Sequence, residues 1–133
     1  MIPPFNEHGY LPPGIHRATL DEIAGRFGQE SEIRPGQMDS VRWPVDLAKK
    51  AGVQRLIING SFVTDDLEPN DLDCALLTSS EFPHDPDALE ALVDGLPFLS
   101  LELVEAKEFA ILVEQFFATD RDLIPKGVVE VIL

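Results

Sequence analysis

The sequence has one cysteine, few basic residues and no long apolar run, and each shortage excludes a class of protein. Its single cysteine, Cys74, cannot form an internal disulfide, which favours a reducing compartment over a disulfide-stabilised secreted domain. The apolar runs are far shorter than the roughly 20 residues that a membrane helix needs. The amino end also lacks a basic region followed by an apolar core, so no signal peptide is predicted. We therefore expect a cytoplasmic protein that does not enter a membrane.

The shortage of basic residues bears most directly on function. Ten Lys and Arg residues stand against 24 Asp and Glu residues, which gives a formal net charge of −14. Because a phosphate backbone is bound by a basic surface, this charge argues against a nucleic-acid partner. A basic partner protein is an open alternative, and a simpler explanation is that high negative charge supports solubility.

What is present is enough for one domain with its own core. The chain has 133 residues, of which 44% are hydrophobic. We predict a single domain over residues 1–133 and an extended arm over residues 1–18. The arm is rich in proline and shows neither a helical nor a strand period. Strands separated by helices predict an α/β (α+β) fold, a mixed sheet packed with helices.

Local patterns predict where most elements begin and end. Thr19 and Glu22 form a capping-box pattern ahead of a helix that Gly28 ends. Pro35-Gly36 predicts that residues 29–37 form a loop, and Pro44 implies a kink or a late start of the next helix. The predicted helices cover 19–27, 38–51, 85–96 and 107–117, and the predicted strands cover 54–59, 71–78, 98–104 and 127–133.

The chain is organised around residues 55–77, which place a Gly-Ser turn close to two aspartates. Gly60 and Ser61 follow an apolar strand, and a helix that opens there would offer backbone N–H groups and a hydroxyl to a phosphate. Asp71 and Asp73 open the next strand, where a period of two places both carboxylates on one face, about 6–7 Å apart. Two such carboxylates repel each other unless a cation lies between them. Mg²⁺, which prefers a few carboxylates together with substrate phosphates, suits this position.

Two simpler interpretations compete with a metal and phosphate site. Asn59-Gly60 between apolar runs is the strongest short hairpin pattern, and under it Ser61 and the aspartates would be structural or solvent-facing. The acidic residues between positions 65 and 73 also suggest a calcium loop. The EF-hand pattern needs a central Gly, however, and this stretch has Pro69 among its acids and no Gly.

Three sequence blocks in order carry a family resemblance. Gly60-Ser61, nine further residues and Asp71-x-Asp73 resemble the signature of the DNA polymerase beta-type nucleotidyltransferase superfamily. The amino-terminal block 2–16, the block 60–64 and the tail block, which consists of residues 116–122 and 125–129, are similar to a small, mostly uncharacterised bacterial branch with minimal, antitoxin-like members. The resemblance spans most of the chain and implies a minimal nucleotidyltransferase fold.

The resemblance implies roles for the central residues. Asp71 and Asp73 are expected to bind Mg²⁺ or Mn²⁺, and Gly60 and Ser61 are expected to contact the phosphates of a nucleoside triphosphate. In this chemistry the metal stabilises the attacking and leaving oxygens, while positive charge or backbone N–H groups neutralise the triphosphate.

Two further sets of charged residues extend this expectation. The superfamily has a third carboxylate, a metal ligand and catalytic group, on a later strand, where Glu102 and Glu105 are the candidates. They cannot share a face of the strand, and Glu102 is favoured because burial in mid-strand would need a functional reason. Arg121 and Lys126 form a tail turn whose cations could reach the nucleotide phosphates, whereas most charged turns simply extend into water.

The resulting functional expectation is enzymatic. The protein would transfer a nucleoside monophosphate, in the simplest case AMP from ATP, to a hydroxyl of a protein or small molecule, as an antitoxin that modifies a partner toxin. The alternative is a catalytically degenerate protein of the same fold that acts as a partner-binding, antitoxin-like module. A homodimer would be another way to complete so small a domain.

Overall fold

The computed structural model describes residues 2–29, 31–67, 69, 72–79, 83, 85–95 and 99–133. Its strands are β1 (Gly14–Ala18), β2 (Arg55–Asn59), β3 (Leu72–Leu77), β4 (Leu99–Val104) and β5 (Gly127–Val131). Its helices are α1 (Leu20–Phe27), α2 (Arg34–Ala51), α3 (Pro86–Asp94) and α4 (Ala106–Ile111), with a 3₁₀ turn at Ser61–Val63 and a π-helical turn at Leu112–Phe116. Within the described ranges, every helix is too short or too polar to cross a bilayer.

The five strands form one mixed sheet in the order β1-β5-β2-β3-β4. β2 lies antiparallel to β3 and to β5, whereas β1 is parallel to β5 and β4 is parallel to β3. A parallel pair needs a crossover connection, and α3 lies in the connection between β3 and β4. The predicted α/β class is confirmed.

Three helices cover one face of the sheet and build the larger core. Because successive residues of a strand point to opposite faces, every second side chain faces α1, α2 and α3. In the central strands these side chains are Leu56, Ile58, Cys74 and Val129. Cys74 is a small core residue, and burial raises the pKa of its thiol.

The opposite face carries a smaller core under α4 and the π-helical turn. Its buried members come from three strands and from the helical segment: Ile57, Ala75, Phe109, Val113, Phe117 and Val128. The helix predicted over residues 107–117 is therefore present, but its second half is π-helical rather than α-helical. This face is the one on which the candidate site lies.

The start of α1 agrees with the capping-box prediction. The Thr19 hydroxyl accepts a hydrogen bond from the backbone N–H of Glu22 at 3.2 Å, and the Glu22 carboxylate accepts one from the N–H of Thr19 at 3.2 Å. At the other end, the N–H of Gly28 donates to the carbonyl of Ala24 at 3.0 Å. The prediction of a helix over residues 19–27 is confirmed.

The prediction of an extended arm over residues 1–18 is wrong at its carboxyl end, because Gly14–Ala18 is a strand that pairs with β5. This strand lies at the edge of the sheet and only Ala18 is buried, so its sequence shows little alternation. Residues 2–13 do lie over the domain without regular structure, and the fully buried side chain of Leu11 anchors them to it.

The prediction that residues 29–37 form a loop is also wrong, because α2 begins at Arg34. Pro35 occupies the first turn of the helix, where a missing N–H costs no hydrogen bond. Pro44, which suggested a late start, lies inside the helix and is buried. The prolines therefore suggested a helix start later than the one that the structure shows.

Candidate functional site

Gly60 and Ser61 form the turn at which the chain leaves β2. Gly60 has φ 98° and ψ −179°, a combination that is essentially restricted to glycine. The chain continues as a 3₁₀ turn, in which the N–H of Val63 donates to the carbonyl of Gly60 at 3.2 Å and that of Thr64 donates to Ser61 at 3.2 Å. β2 pairs with β3 and β5 and not with the residues after Gly60, so the hairpin interpretation is wrong.

Arg34 holds the loop that follows this turn. Its side chain is 2% exposed, and its guanidinium donates to the carbonyls of Phe62 and Thr64, both at 2.8 Å, and to the carbonyl of Asp66. A further hydrogen bond at 3.0 Å reaches the carbonyl of Phe27 in α1. Because a planar guanidinium presents its donors in fixed directions, one side chain sets the path of this loop. Sequence reasoning missed this role, since the Pro-Gly pair beside Arg34 suggested a loop.

An open groove of about 550 Å³ lies beside the Gly60-Ser61 turn. Its lining includes all four residues predicted to contact phosphates, namely Gly60, Ser61, Arg121 and Lys126. The other lining residues are Thr64, Gln115, Phe116, Thr119, Asp120 and Leu123. These residues meet because β2 is antiparallel to β5, so the end of β2 and the start of β5 lie at the same end of the sheet.

The turn that carries Arg121 and Lys126 is closed by hydrogen bonds to Asp120. One carboxylate oxygen of Asp120 accepts from two backbone N–H groups of the turn, at 2.8 and 3.0 Å. The other oxygen accepts from the hydroxyl of Tyr10 at 2.6 Å. The Tyr10 hydrogen bond lowers the pKa of Asp120 and raises the pKa of the Tyr10 hydroxyl. The groove therefore contains two cations held on a turn that the arm stabilises.

Asp73 lies near the start of β3, next to the Gly60-Ser61 turn. It is paired with Asn59 in the antiparallel register and with Ser100 in the parallel one. Residues that face each other across a ladder share one face of the sheet, so all three belong to the face that α4 covers. Asp71, the other predicted metal ligand of this strand, lies outside the described residues. The prediction that the two aspartates share a face stays a prediction.

Asn59 is a member of the site that sequence reasoning missed. It is 4% exposed, and its side-chain oxygen has no hydrogen-bond partner in the part of the protein that the structure describes. A buried oxygen without a partner costs about 1–3 kcal/mol, so such groups need an explanation. Because Asn59 is directly opposite Asp73, an amide oxygen and a carboxylate are neighbours here. Oxygen donors of this kind suit a hard divalent cation.

Glu102 shares a face of the sheet with Asp73, and neither residue is part of the groove lining. The register pairs Glu102 with Ala75, two positions along β3 from Asp73. Its side chain is exposed, contrary to the expectation of burial in mid-strand, because β4 is the edge of the sheet. It lines a separate hollow of about 260 Å³, and Phe116 borders both spaces.

The predicted metal ligands are thus only partly located. Among the described residues, no three His, Cys, Asp or Glu side chains converge in a way that could hold a metal ion. Asp71 is not among them, so the three-carboxylate arrangement of Asp71, Asp73 and Glu102 stays a prediction. The donors that the structure describes are the carboxylate of Asp73 and the amide of Asn59.

Fold and site together define an α/β domain with a polar groove at one end of a five-stranded sheet. The chain belongs to a family of unknown function (DUF6932), whose model matches residues 3–132. No curated protein and no solved structure matches the chain. The groove itself is therefore the feature that bears on function.

Proposed function

We propose that the protein is a nucleotidyltransferase that transfers a nucleoside monophosphate, AMP from ATP in the simplest case, to a hydroxyl of a protein or small molecule. The observation that carries this proposal is the meeting of Gly60, Ser61, Arg121 and Lys126 in one groove. A triphosphate is stabilised by backbone N–H groups, a hydroxyl and cations. In this groove the hydroxyl of Ser61 and the cations of Arg121 and Lys126 come from distant parts of the chain.

The oxygen donors beside the turn support a metal-dependent activity. Asp73 would hold Mg²⁺ or Mn²⁺ together with Asp71, its predicted partner, and the unpartnered oxygen of Asn59 fits the same ion. A bound divalent ion would supply charge neutralisation at the phosphates and at the attacking oxygen. Carboxylate and amide oxygens are the donors such an ion prefers, so the described residues fit the group.

The chain's own residues then have separate roles in the transfer. The acceptor oxygen forms a bond to the α-phosphorus, the bond to the bridging oxygen of the β-phosphate breaks, and pyrophosphate leaves. Arg121 and Lys126 are assigned to the charge of the departing pyrophosphate, while Ser61 orients the phosphates. The acceptor proton requires a base, and we assign this role to Glu102, whose hollow adjoins the groove at Phe116.

The proposed biological context is that of an antitoxin in the cytoplasm whose acceptor is a hydroxyl of a partner toxin. A second candidate function is a nucleotide- or partner-binding module that has lost catalysis. The position of Glu102 favours this second candidate, because its exposed side chain lies in a hollow separate from the groove.

The test is transfer from ATP labelled at the α-phosphate, measured together with pyrophosphate release, on protein and small-molecule acceptors that carry hydroxyls. The site variant is Asp71→Asn/Asp73→Asn, and Asp85→Asn/Asp87→Asn is a matched control with the same spacing at the start of α3. We expect transfer by the wild type and the control and none by the site variant. Metal-dependent ATP binding without transfer to any acceptor would favour the binding module instead.

A further inference from the structure

Two apolar side chains are exposed in the groove that otherwise presents polar and charged groups. Phe116 is 67% exposed and Leu123 is 77% exposed, and both line the groove. Burial of side chains this large is favourable, so a pair of them beside cations and a Gly-Ser turn needs an explanation. Ligands with one flat apolar part and one anionic part would contact both kinds of surface.

Phe116 belongs to the π-helical turn that follows α4. In this turn the N–H of Phe117 donates to the carbonyl of Leu112 at 2.9 Å, five residues back. Phe117 and Val113 are buried in the smaller core, while Phe116 is directed away from it toward the groove. Single π-helical turns occur frequently at functional sites. Of the two adjacent phenylalanines, Phe117 is therefore buried in the core, while Phe116 is exposed in the groove.

Leu123 is presented by a strained turn. Its φ is 62°, and it is the one non-glycine residue with a positive φ in the described ranges. This left-handed conformation is unfavourable for a residue with a Cβ, and Gly or Asn would adopt it more easily. Asp120 imposes it, since the N–H of Leu123 donates to the Asp120 carbonyl at 3.1 Å and the Asp120 carboxylate caps the flanking N–H groups. Backbone strain of this kind is found at ligand-binding positions.

We propose that Phe116 and Leu123 form a nucleobase subsite, in which the flat faces of the base contact the two side chains while the phosphates extend toward Ser61, Arg121 and Lys126. This inference rests on the proposed nucleotide function of the groove. Stacking on an aromatic ring tolerates any base, and a purine covers more of the apolar pair than a pyrimidine does. The subsite therefore selects purine nucleoside triphosphates over pyrimidine ones.

The test separates the base from the rest of the nucleotide. Binding of ATP, GTP, CTP, UTP and ribose 5-triphosphate, which keeps the sugar and phosphates but lacks the base, is measured with Mg²⁺ on the full chain. We expect ATP and GTP to bind about tenfold more tightly than ribose 5-triphosphate, the size of one stacking contact. Phe116→Ala should reduce this difference without weakening ribose 5-triphosphate, Phe116→Trp should retain it, and Phe116→Leu should lie between.

Leu123 offers a readout that a purely structural residue would not give. Leu123→Gly relieves the strained φ and should raise Tm, yet it should weaken ATP several-fold because the apolar contact is lost. Val93→Ala is the matched control, since Val93 is 68% exposed on α3 and lies outside the groove. It should leave the affinity for every ligand unchanged.

The outcomes distinguish this inference from the function on which it rests. Ribose 5-triphosphate that binds as tightly as ATP, with no effect of Phe116→Ala, would overturn the base subsite and leave the proposed function standing. Failure of all five ligands to bind a folded protein would overturn both. Dimerisation that Phe116→Ala abolishes, with unchanged ATP affinity, would assign the apolar pair to contact with a second copy and contradict the subsite.

Discussion

Tyr10 and Asp120 are 110 positions apart in the chain and are joined by a 2.6 Å hydrogen bond from hydroxyl to carboxylate. The same tyrosine forms an isolated antiparallel bridge with Thr64, in the loop that follows Ser61. One residue of the amino-terminal arm thus contacts both segments that supply the groove. The arm therefore stabilises the segments that line the groove and does not merely pack over the fold.

The hydrogen bond gives a pH-dependent prediction for Tyr10→Phe. Because the hydrogen bond lowers the pKa of Asp120, it stabilises the folded protein above the ordinary aspartate pKa of about 3.9. This stabilisation is lost as the pH falls through the lower pKa of the folded state. Because the hydrogen bond raises the pKa of Tyr10, it stabilises the folded protein below about pH 10. This stabilisation is lost as the pH rises through the higher pKa of the folded state. Tyr10→Phe should therefore lower Tm between these limits, and the difference should shrink toward both. A Tm difference that stays constant from acid to alkali would contradict this explanation.

Arg34 should be among the least replaceable residues outside the groove lining. Arg34→Met would leave several buried carbonyls without a donor and should cost about 3–5 kcal/mol of unfolding free energy, measured by chemical denaturation. Arg34→Lys keeps the charge but cannot reach all the carbonyls at once, so it should cost less. Arg42→Met, an exposed position on the same helix, should change the free energy little. Equal losses for Arg34→Lys and Arg34→Met would show that the hydrogen-bond geometry is unimportant.

Gly60→Ala tests the backbone of the turn. With φ 98° and ψ −179°, a residue with a Cβ is strained there, and we expect a loss of about 1–3 kcal/mol in unfolding free energy. Gly36→Ala is the control, because Gly36 lies in α2 and an added Cβ meets no atom within 4 Å. Alanine is the better helix former, so this control should be neutral or stabilising. A Gly60→Ala variant as stable as the wild type would contradict the observed turn.

The cations of the groove should determine the affinity for triphosphate. Arg121→Gln and Lys126→Gln should each weaken ATP about tenfold or more, since a hydrogen bond to a charged group contributes about 1.5–3 kcal/mol. The effect should diminish with added salt, because part of it is electrostatic. Arg42→Gln and Lys49→Gln, exposed on α2, remove the same charges away from the groove and serve as controls. Equal effects of both pairs would mean that only net charge matters.

Sequence reasoning located the elements well where local chemistry decides them. The capping box at Thr19 and Glu22 and the strand before Gly60 were correct, because hydrogen bonds within a few residues determine them. The start of α2 was misjudged because Pro35 is equally compatible with a loop and with a first helical turn. The strand at Gly14–Ala18 was missed because it forms only by pairing with the opposite end of the chain.

The same difference between local and long-range interactions explains which site residues could be predicted. Gly60, Ser61, Arg121 and Lys126 were identified from motifs, and the structure brings them to one groove. Tyr10 and Arg34 were not identified, because their importance lies in partners far away in the sequence. Glu102 was preferred to Glu105, as the third carboxylate that the resemblance implies, because of its position in mid-strand, and this position does not reveal that its strand is the exposed edge of the sheet.

The proposed function requires that the groove bind a nucleoside triphosphate through a metal held at Asp73. The most direct measurement is calorimetric titration of ATP into the wild type, into Asp71→Asn/Asp73→Asn and into the control Asp85→Asn/Asp87→Asn, each with Mg²⁺ and with excess chelator. We predict binding by the wild type and the control that requires Mg²⁺ and is lost in the site variant. Absence of binding by folded wild-type protein, or binding that depends on neither the metal nor the aspartates, would rule out the proposed function.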